Sequence, residues 1–328
     1  MPSNVKQARQ FATNGIRFSP SLDYLFVLPW GYAQNMITVN RTIAKLGGTL
    51  IGTHPAGSEG WHSQRAHAIG GSDIAPIMNK SPWVSCMFLW AQKSGKLLPQ
   101  EGTMAMKLGN YFEPAIARLF GDMHPHLTLH TADYTYESQI NPAFHANPDG
   151  IIEDEDGKLS ILEIKFSRNR MPELPEHYRL QVLWYMIVTG LHSAAVLCAV
   201  AGGEYREFTV EYDPIEAAEL IKAAEGFLEA VKTGVEPTLD GSQSTYEAVR
   251  TLHPDIEDTE TEIDAEEYRL LVDALEQEKF WKQQATLRKS VIQNSMKGAR
   301  YGYVDGENVV MLQSRSGGAP YLKLTGGY

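Results

Sequence analysis

Between His145 and Phe166 two β-strand patterns meet across an acidic turn, and this stretch constrains the fold more than any other. The first strand runs through Ala146 and Asp149 to Ile151 and Ile152. The turn, Glu153-Asp154-Glu155-Asp156-Gly157, is polar and ends in glycine, as a hairpin loop does. The second strand, Leu159 to Phe166, sets Leu159, Ile161, Ile164 and Phe166 among Glu163 and Lys165. A pairing of this length commits the chain to a sheet.

Side chains alternate across a strand, so Glu163 and Lys165 share one face and Ile164 takes the other. An acid and a lysine inside a strand that otherwise reads as buried are costly unless something uses them. Asp149, on the neighbouring strand, reaches the same place. Two carboxylates beside an ammonium offer oxygen ligands to a hard cation such as Mg2+ or Mn2+. Such a site activates water and stabilises charge developing on a phosphate. The bland alternative is a surface hairpin whose Glu and Lys merely pair.

The 328 residues and 43% hydrophobic content predict a large globular core. Cys86 and Cys198 stand far apart, which argues for a reducing compartment and against a cysteine-held zinc or iron–sulfur site. No apolar run reaches ~18 residues, and the N-terminus lacks a signal-peptide pattern, so a cytoplasmic protein with no membrane contact is expected. The net charge of −11 weighs against a protein that coats nucleic acid nonspecifically. Eight of those acids lie in residues 253–267, which hold no Lys or Arg; without them the charge is −3. A local basic track elsewhere stays compatible with that balance.

Phe26-Val27-Leu28 before Pro29-Trp30 suggests a short strand or docking segment, and Asn40–Leu46 a helical turn. Gly70-Gly71-Ser72-Asp73-Ile74 reads as a helix start with Ser72 or Asp73 as N-cap. With Arg65 nearby, that terminus either simply caps or receives a phosphate. A helix over Ser85–Ser94 follows. Residues 104–121 form another, with Met104, Met106, Leu108, Phe112, Ile116, Leu119 and Phe120 as its apolar face. Glu113, at the edge of that face, is either an ordinary helix residue or a ligand. Residues 176–190 form a helix closed by Gly190, with Gln181 and Tyr185 one turn apart. Strands at 194–201 and 204–211 flank Gly202-Gly203, and a helix follows over 214–233. The acidic stretch leads into a long helix, roughly 264–297, whose Tyr268, Leu271, Leu275, Trp281, Ala285, Ile292 and Met296 suggest a packing face. A small hairpin around Asp305-Gly306 closes the chain. The expected division is an N-terminal extension (1–61), a core (62–240), and a linker, long helix and hairpin (241–328).

Pro148-Asp149, then 13 residues, then Glu163-Ile164-Lys165 resembles the PD-(D/E)XK nuclease signature. Arg65 with Gly70–Ile74, Gly109 through Glu113-Pro114, Asn147–Gly150, Leu162–Lys165, and Tyr178-x-x-Gln181-x-x-x-Tyr185 ending in Thr189-Gly190 follow in one order. That series, spanning roughly residues 62–200, resembles the YqaJ-type viral recombinases, the phage alkaline exonucleases related to lambda exonuclease. The resemblance implies an α/β (α+β) fold with a PD-(D/E)XK, restriction-endonuclease-like core: a mixed central sheet flanked by helices. It implies a Mg2+-dependent exonuclease, with Mn2+ substituting and two cations per site. Such an enzyme degrades one strand of linear duplex DNA 5′ to 3′ and leaves 3′ overhangs for recombination by strand annealing. Duplex DNA ends, a single-strand annealing protein and a homo-oligomeric ring (trimer or tetramer) are the implied partners.

The resemblance also implies roles for residues. Asp149, Glu163, the Ile164 carbonyl and Glu113 would hold the metal. Lys165 would orient the attacking water and offset phosphate charge, Gln181 would position Lys165 or the water, and Tyr185 would support Gln181. Arg65 and Ser72 would hold a terminal 5′ phosphate. Asn147 stands where some relatives carry a small hydroxyl residue, as a further DNA contact. The competing readings are an endonuclease on the same core and a non-catalytic DNA-binding scaffold. No P-loop motif is present, so a helicase motor is not expected.

Overall fold

A computed structural model describes residues 48–51, 58–98, 102–131 and 135–325. The segments anticipated at 26–28 and 40–46 lie outside them. The chain divides into two compact units, one up to Asp255 and one from Ile256.

The first unit is built on a five-stranded mixed sheet, in the order β2 (Thr128–Thr131), β5 (Gly150–Glu153), β6 (Leu159–Ser167), β7 (Ser193–Val200), β8 (Tyr205–Glu211). The expected hairpin is β5–β6: antiparallel, with Gly150 opposite Leu162 and Glu153 opposite Leu159. Its turn closes because Asp154 Oδ1 accepts from the backbone N–H of Asp156 and Lys158, while Gly157 takes a positive φ of 75°. β6 then runs parallel to β7, which requires a crossover. The helix α5 (Glu176–Thr189) supplies it, ending at Gly190 in the left-handed region as anticipated. β7 and β8 form the second hairpin. A smaller sheet, β1 (Gly48–Ile51), β3 (Thr135–Ser138) and β4 (His145–Ala146), lies alongside. β1 thus draws part of the expected N-terminal extension into the folded unit.

The alternation of β6 divides the core. Ile161 joins Ile151, Val196 and the α5 residues Leu180, Leu183 and Trp184 on one face. Leu162 and Ile164 join Ile116, Ala117 and Phe120 of α4 (Met104–Met123) on the other. α1 (Glu59–Ala66) leads to Ile69, where the first cluster begins; that cluster takes in α2 (Gly71–Ile77) and α3 (Cys86–Lys93), which buries Met87 to Ala91 without interruption. Trp184 is fully buried, and its Nε1–H donates to the carbonyls of His145 (3.0 Å) and Ile69 (3.3 Å). That bond ties α5 to both segments leading into the site. Two further helices, α6 (Pro214–Thr233) and α7 (Gln243–Leu252), complete the unit, α7 packing on α3. The first unit therefore runs past residue 240.

Two expectations about helices need correction. The apolar face of α4 is buried only at Ile116, Ala117 and Phe120; Met104, Met106, Phe112 and Leu119 are exposed, because the sheet covers only a narrow stripe of the helix. The second unit holds α8 (Ala265–Met296), started by the Asp264 cap, and a three-stranded sheet, β9 (Tyr301–Val304), β10 (Glu307–Gln313) and β11 (Tyr321–Leu324). The hairpin at Asp305-Gly306 is present, with a third strand added. α8 is not a packed amphipathic helix: none of its residues is buried, and Leu271, Leu275 and Trp281 are exposed. Among the described residues, no helix is long and apolar enough to cross a membrane.

Candidate active site

β6 outruns β5. Its pairing with β5 ends at Leu162, while its pairing with β7 continues to Ser167. The backbone of residues 163–166 on the β5 side therefore lies beyond that ladder. Asp149, one residue before β5, uses this edge: its Oδ2 accepts the Ile164 N–H at 2.6 Å. A strand residue presents its N–H and C=O on the same side, so the Ile164 carbonyl also points toward Asp149.

Glu163 and Lys165 share a face as their spacing dictates, and their side chains form an ion pair. Ile164 packs into the opposite cluster. The Gln181 amide on α5 donates to Glu163 Oε1 (2.7 Å) and to the Tyr185 hydroxyl (2.7 Å). Oε1 also accepts from the Lys165 ammonium, so it is the NH2 end of the Gln181 amide that faces it. The other oxygen, Glu163 Oε2, is buried with no hydrogen-bond partner among the described residues.

The electrostatics follow from crowding. Burial, then the charge of Glu163, hold the Asp149 carboxyl well above the usual range; Lys165 offsets this and Glu113 adds to it. Burial also raises Glu163, against the pull of Lys165. For Lys165 itself burial works against the charge, but Glu163 and Asp149 outweigh it, so the pKa lies above the ordinary lysine value. The side chain is held as an ammonium. Burial, with Glu163 and Asp149, raises the Tyr185 phenol well above its usual value.

These residues fit a hard cation. A buried carboxylate oxygen without a donor, and two acids raised by burial beside each other, describe an oxygen site short of positive charge. The donor set is Asp149, Glu163 and the Ile164 carbonyl. Glu113 is near enough to raise Asp149. Even so, among the described residues no three His, Cys, Asp or Glu side chains gather at metal-binding spacing. Phe112 beside it stacks on Phe166 at 4.4 Å, which brings this part of α4 to the strand that carries Glu163.

Arg65 and Ser72 also meet: the guanidinium donates to Ser72 Oγ at 2.6 Å. The N-cap of α2 is neither Ser72 nor Asp73, as the sequence suggested, but Gly70. Asp73 sits three residues later, and its carboxylate accepts the Gly70 N–H at 2.9 Å. Ser72 is thereby left exposed beside Arg65. Gly71 brings this pair to the carboxylates: a Cβ there would lie 2.4 Å from Tyr185 Cε1 and 3.0 Å from Gln181 Cγ. Only glycine lets α2 approach α5 this closely. Asn147 is tied elsewhere, its amide donating to the Thr135 hydroxyl (2.6 Å), which donates to Gln64 (3.3 Å) next to Arg65.

Two residues that sequence reading missed complete the picture. Lys93, in the last turn of α3, donates to Asp73 Oδ2 (2.8 Å) and to the carbonyls of Arg65 (2.7 Å) and Ala68 (2.6 Å). A lysine at a helix C-terminus usually marks solvent; only the unbroken buried run before it signalled otherwise. His177 lies between Trp83 and Tyr178, and Lys165 Nζ sits 4.9 Å from the centre of the Tyr178 ring. Burial, then Lys165, lower the His177 pKa.

A mixed sheet flanked by helices, with Asp149 just before one strand and Glu163 and Lys165 on the next, is the arrangement expected from the sequence for a PD-(D/E)XK core. Residues 60–192 match the model of the YqaJ-like viral recombinase domain. It is 26% identical over 258 residues to the uncharacterized protein YqaJ of Bacillus subtilis (strain 168), covering 74% of this chain and 80% of that one. Among solved structures it is similar to an alkaline exonuclease (LHK-Exo) from Laribacter hongkongensis, at 20% identity and TM-score 0.44, covering 54% of this chain and 94% of that one. It is also similar to a phage-related exonuclease from Haemophilus somnus 129PT, at 14% identity and TM-score 0.38, covering 51% and 92%.

Proposed function

We propose that this protein is a Mg2+-dependent exonuclease that degrades one strand of linear duplex DNA from the 5′ end, leaving a 3′ overhang for strand annealing. The observation that carries the reading is the convergence of Asp149, Glu163, Lys165 and Gln181 where β6 outruns β5, with one Glu163 oxygen buried and unpaired. Asp149, Glu163, the Ile164 carbonyl and Glu113 are the residues that would hold Mg2+, or Mn2+ in its place. When bound, a pair of such ions supplies a nucleophilic hydroxide and neutralises charge on the phosphate and the leaving oxygen.

The chain's own residues do the rest. The Lys165 ammonium donates to the attacking water or a phosphate oxygen and offsets negative charge there. Gln181 holds Glu163 in one rotamer, and Tyr185 holds Gln181. Arg65 and Ser72, side by side and brought to this centre by Gly71, suit a terminal phosphate. The viral-recombinase resemblance supports the 5′-to-3′ direction, a homo-oligomeric ring and a single-strand annealing partner.

The test is purified protein with Mg2+ on linear duplex with and without 5′ phosphates, on a closed circle and on single strands, with Asp149→Ala as the contamination control. Release of a 5′ label first, faster from phosphorylated ends and with the circle untouched, is the expected result. Cutting of the circle favours an endonuclease. Duplex binding without metal-dependent cleavage favours a scaffold.

A further inference from the structure

Beside the catalytic lysine a line of aromatic rings runs outward to solvent. Lys165 Nζ lies 4.9 Å from the Tyr178 ring centre. The His177 ring meets Tyr178 at 4.1 Å and Trp83 at 4.6 Å, both nearly edge-on. Trp83 and Tyr178 are 6.2 Å apart. At the outer end Trp83 is 63% exposed, so its indole is largely open to a ligand.

We propose that Trp83, backed by His177 and Tyr178, is a stacking platform for a nucleobase of the strand being cleaved, two to three nucleotides from the scissile phosphate. This rests on the nuclease reading above. Three observations carry it. The loop is fixed: Ser81 Oγ accepts the N–H of Val84 (3.1 Å) and Trp83 (3.3 Å), and the Ser85 N–H donates to Ser244 Oγ (3.0 Å). A ring presented this way loses little freedom when it binds. The surroundings suit a polyanion. Two cations, Lys80 three residues before Trp83 and Arg168 just past Lys165, are exposed, and the nearby acids are offset: Glu176 and Glu216 share the Arg179 guanidinium, and Lys80 also acts on Glu176. Finally, the spacing fits. Trp83 lies two steps, of 4.9 and 6.2 Å, from Lys165 Nζ, a reach of at most about three bases at ~3.4 Å each. Every base has a π-face, so such a platform holds DNA without reading its sequence.

The test is a scan in which single abasic sites are placed along a tailed duplex. Binding to the full chain is measured without divalent metal, and cleavage with Mg2+. In the wild type, one or two adjacent positions close to the cleaved bond are expected to weaken binding about 5- to 150-fold when the base is removed. Trp83→Ala should weaken binding to intact DNA by a similar factor and erase the effect of those abasic sites. Trp83→Phe should restore most of both, which excludes a folding defect. If Trp83→Ala binds intact DNA as the wild type does, keeps the abasic profile, or changes only the assembly state, the platform is overturned while metal-dependent cleavage stands. A wild-type chain that neither binds nor cleaves duplex DNA overturns the nuclease reading and the platform together.

Discussion

Lys93 meets Asp73, and Lys165 meets Glu163; both pairs are buried in the first unit, yet only the first is balanced. Asp73 has the lysine, the Gly70 N–H and the nearby Arg65 charge. Lys93 gives its remaining donors to two backbone carbonyls. Burial opposes the Asp73 charge, but Lys93 and Arg65 outweigh it, and the carboxyl lies below its ordinary 3.8. At the other pair one ammonium serves two carboxylates, both acids are raised, and one oxygen has no donor. A satisfied pair locks structure. An over-acidic one costs stability, and on the function proposed above a bound cation would offset that cost.

The largest effect should come from the unbalanced site. Asp149→Asn or Lys165→Ala is expected to lower Mg2+-dependent cleavage by about 10²–10³-fold or more, measured as initial rate on phosphorylated linear duplex. Wild-type rates in Lys165→Ala would remove that residue from the mechanism. The balanced pair should respond in stability instead. Lys93→Met leaves Asp73 buried without its cation and should cost about 3–5 kcal/mol in denaturant unfolding. Adding Asp73→Asn should recover part of that loss; no recovery would mean the two side chains do not act as a pair.

The two sites should also titrate in opposite senses. Asp73 has a lowered folded pKa, so its contribution is present above 3.8 and is lost as pH falls through the folded value. Asp149 and Glu163 are raised above 3.8 and 4.5. Their share of stability is full below those values and is lost as pH rises through the folded ones. In metal-free protein this share should be lost as pH rises above the ordinary carboxylate values of 3.8 and 4.5, and it is the part of the pH dependence that Asp149→Asn removes. Asp149→Asn should flatten that slope and raise the melting temperature at pH 8 by about 2–4 °C, roughly 1 kcal/mol for a unit of this size. Mg2+ should raise the wild type and leave Asp149→Asn nearly unmoved; a slope identical in both proteins would refute the stored-charge account.

A smaller effect tests the link between the sites. Gly71→Ala drives a methyl group into Tyr185 and should cost about 1–3 kcal/mol. It should also lower the preference for 5′-phosphorylated ends more than it lowers cleavage of unphosphorylated ones. Equal losses on both substrates would show that α2 only packs against α5.

Much of this site is legible in the order of residues along the chain. A hairpin with an acidic, glycine-ended turn follows from local chemistry, and strand alternation alone puts Glu163 and Lys165 together with Ile164 opposite. Helical spacing puts Tyr185 one turn beyond Gln181. Local rules mislead where burial depends on a partner. The apolar stripe of α4 reads as one continuous face, but only Ile116, Ala117 and Phe120 of it are buried against the sheet. Leu271, Leu275 and Trp281 in α8 read as a packing face and are exposed.

The chain's pattern of alternation, turns and helix stops thus determined the β5–β6 and β7–β8 hairpins, the helix between them and the face on which the charges stand, because those depend on neighbours a few residues away. Tertiary packing decided what sequence distance hides. Asp149 reaches the Ile164 N–H because β6 outruns β5, Lys93 closes on Asp73 from another helix, and Gly71 admits α2 to the Gln181–Tyr185 turn. Each is a contact between elements, and its energy depends on desolvation and close approach, which no local pattern encodes.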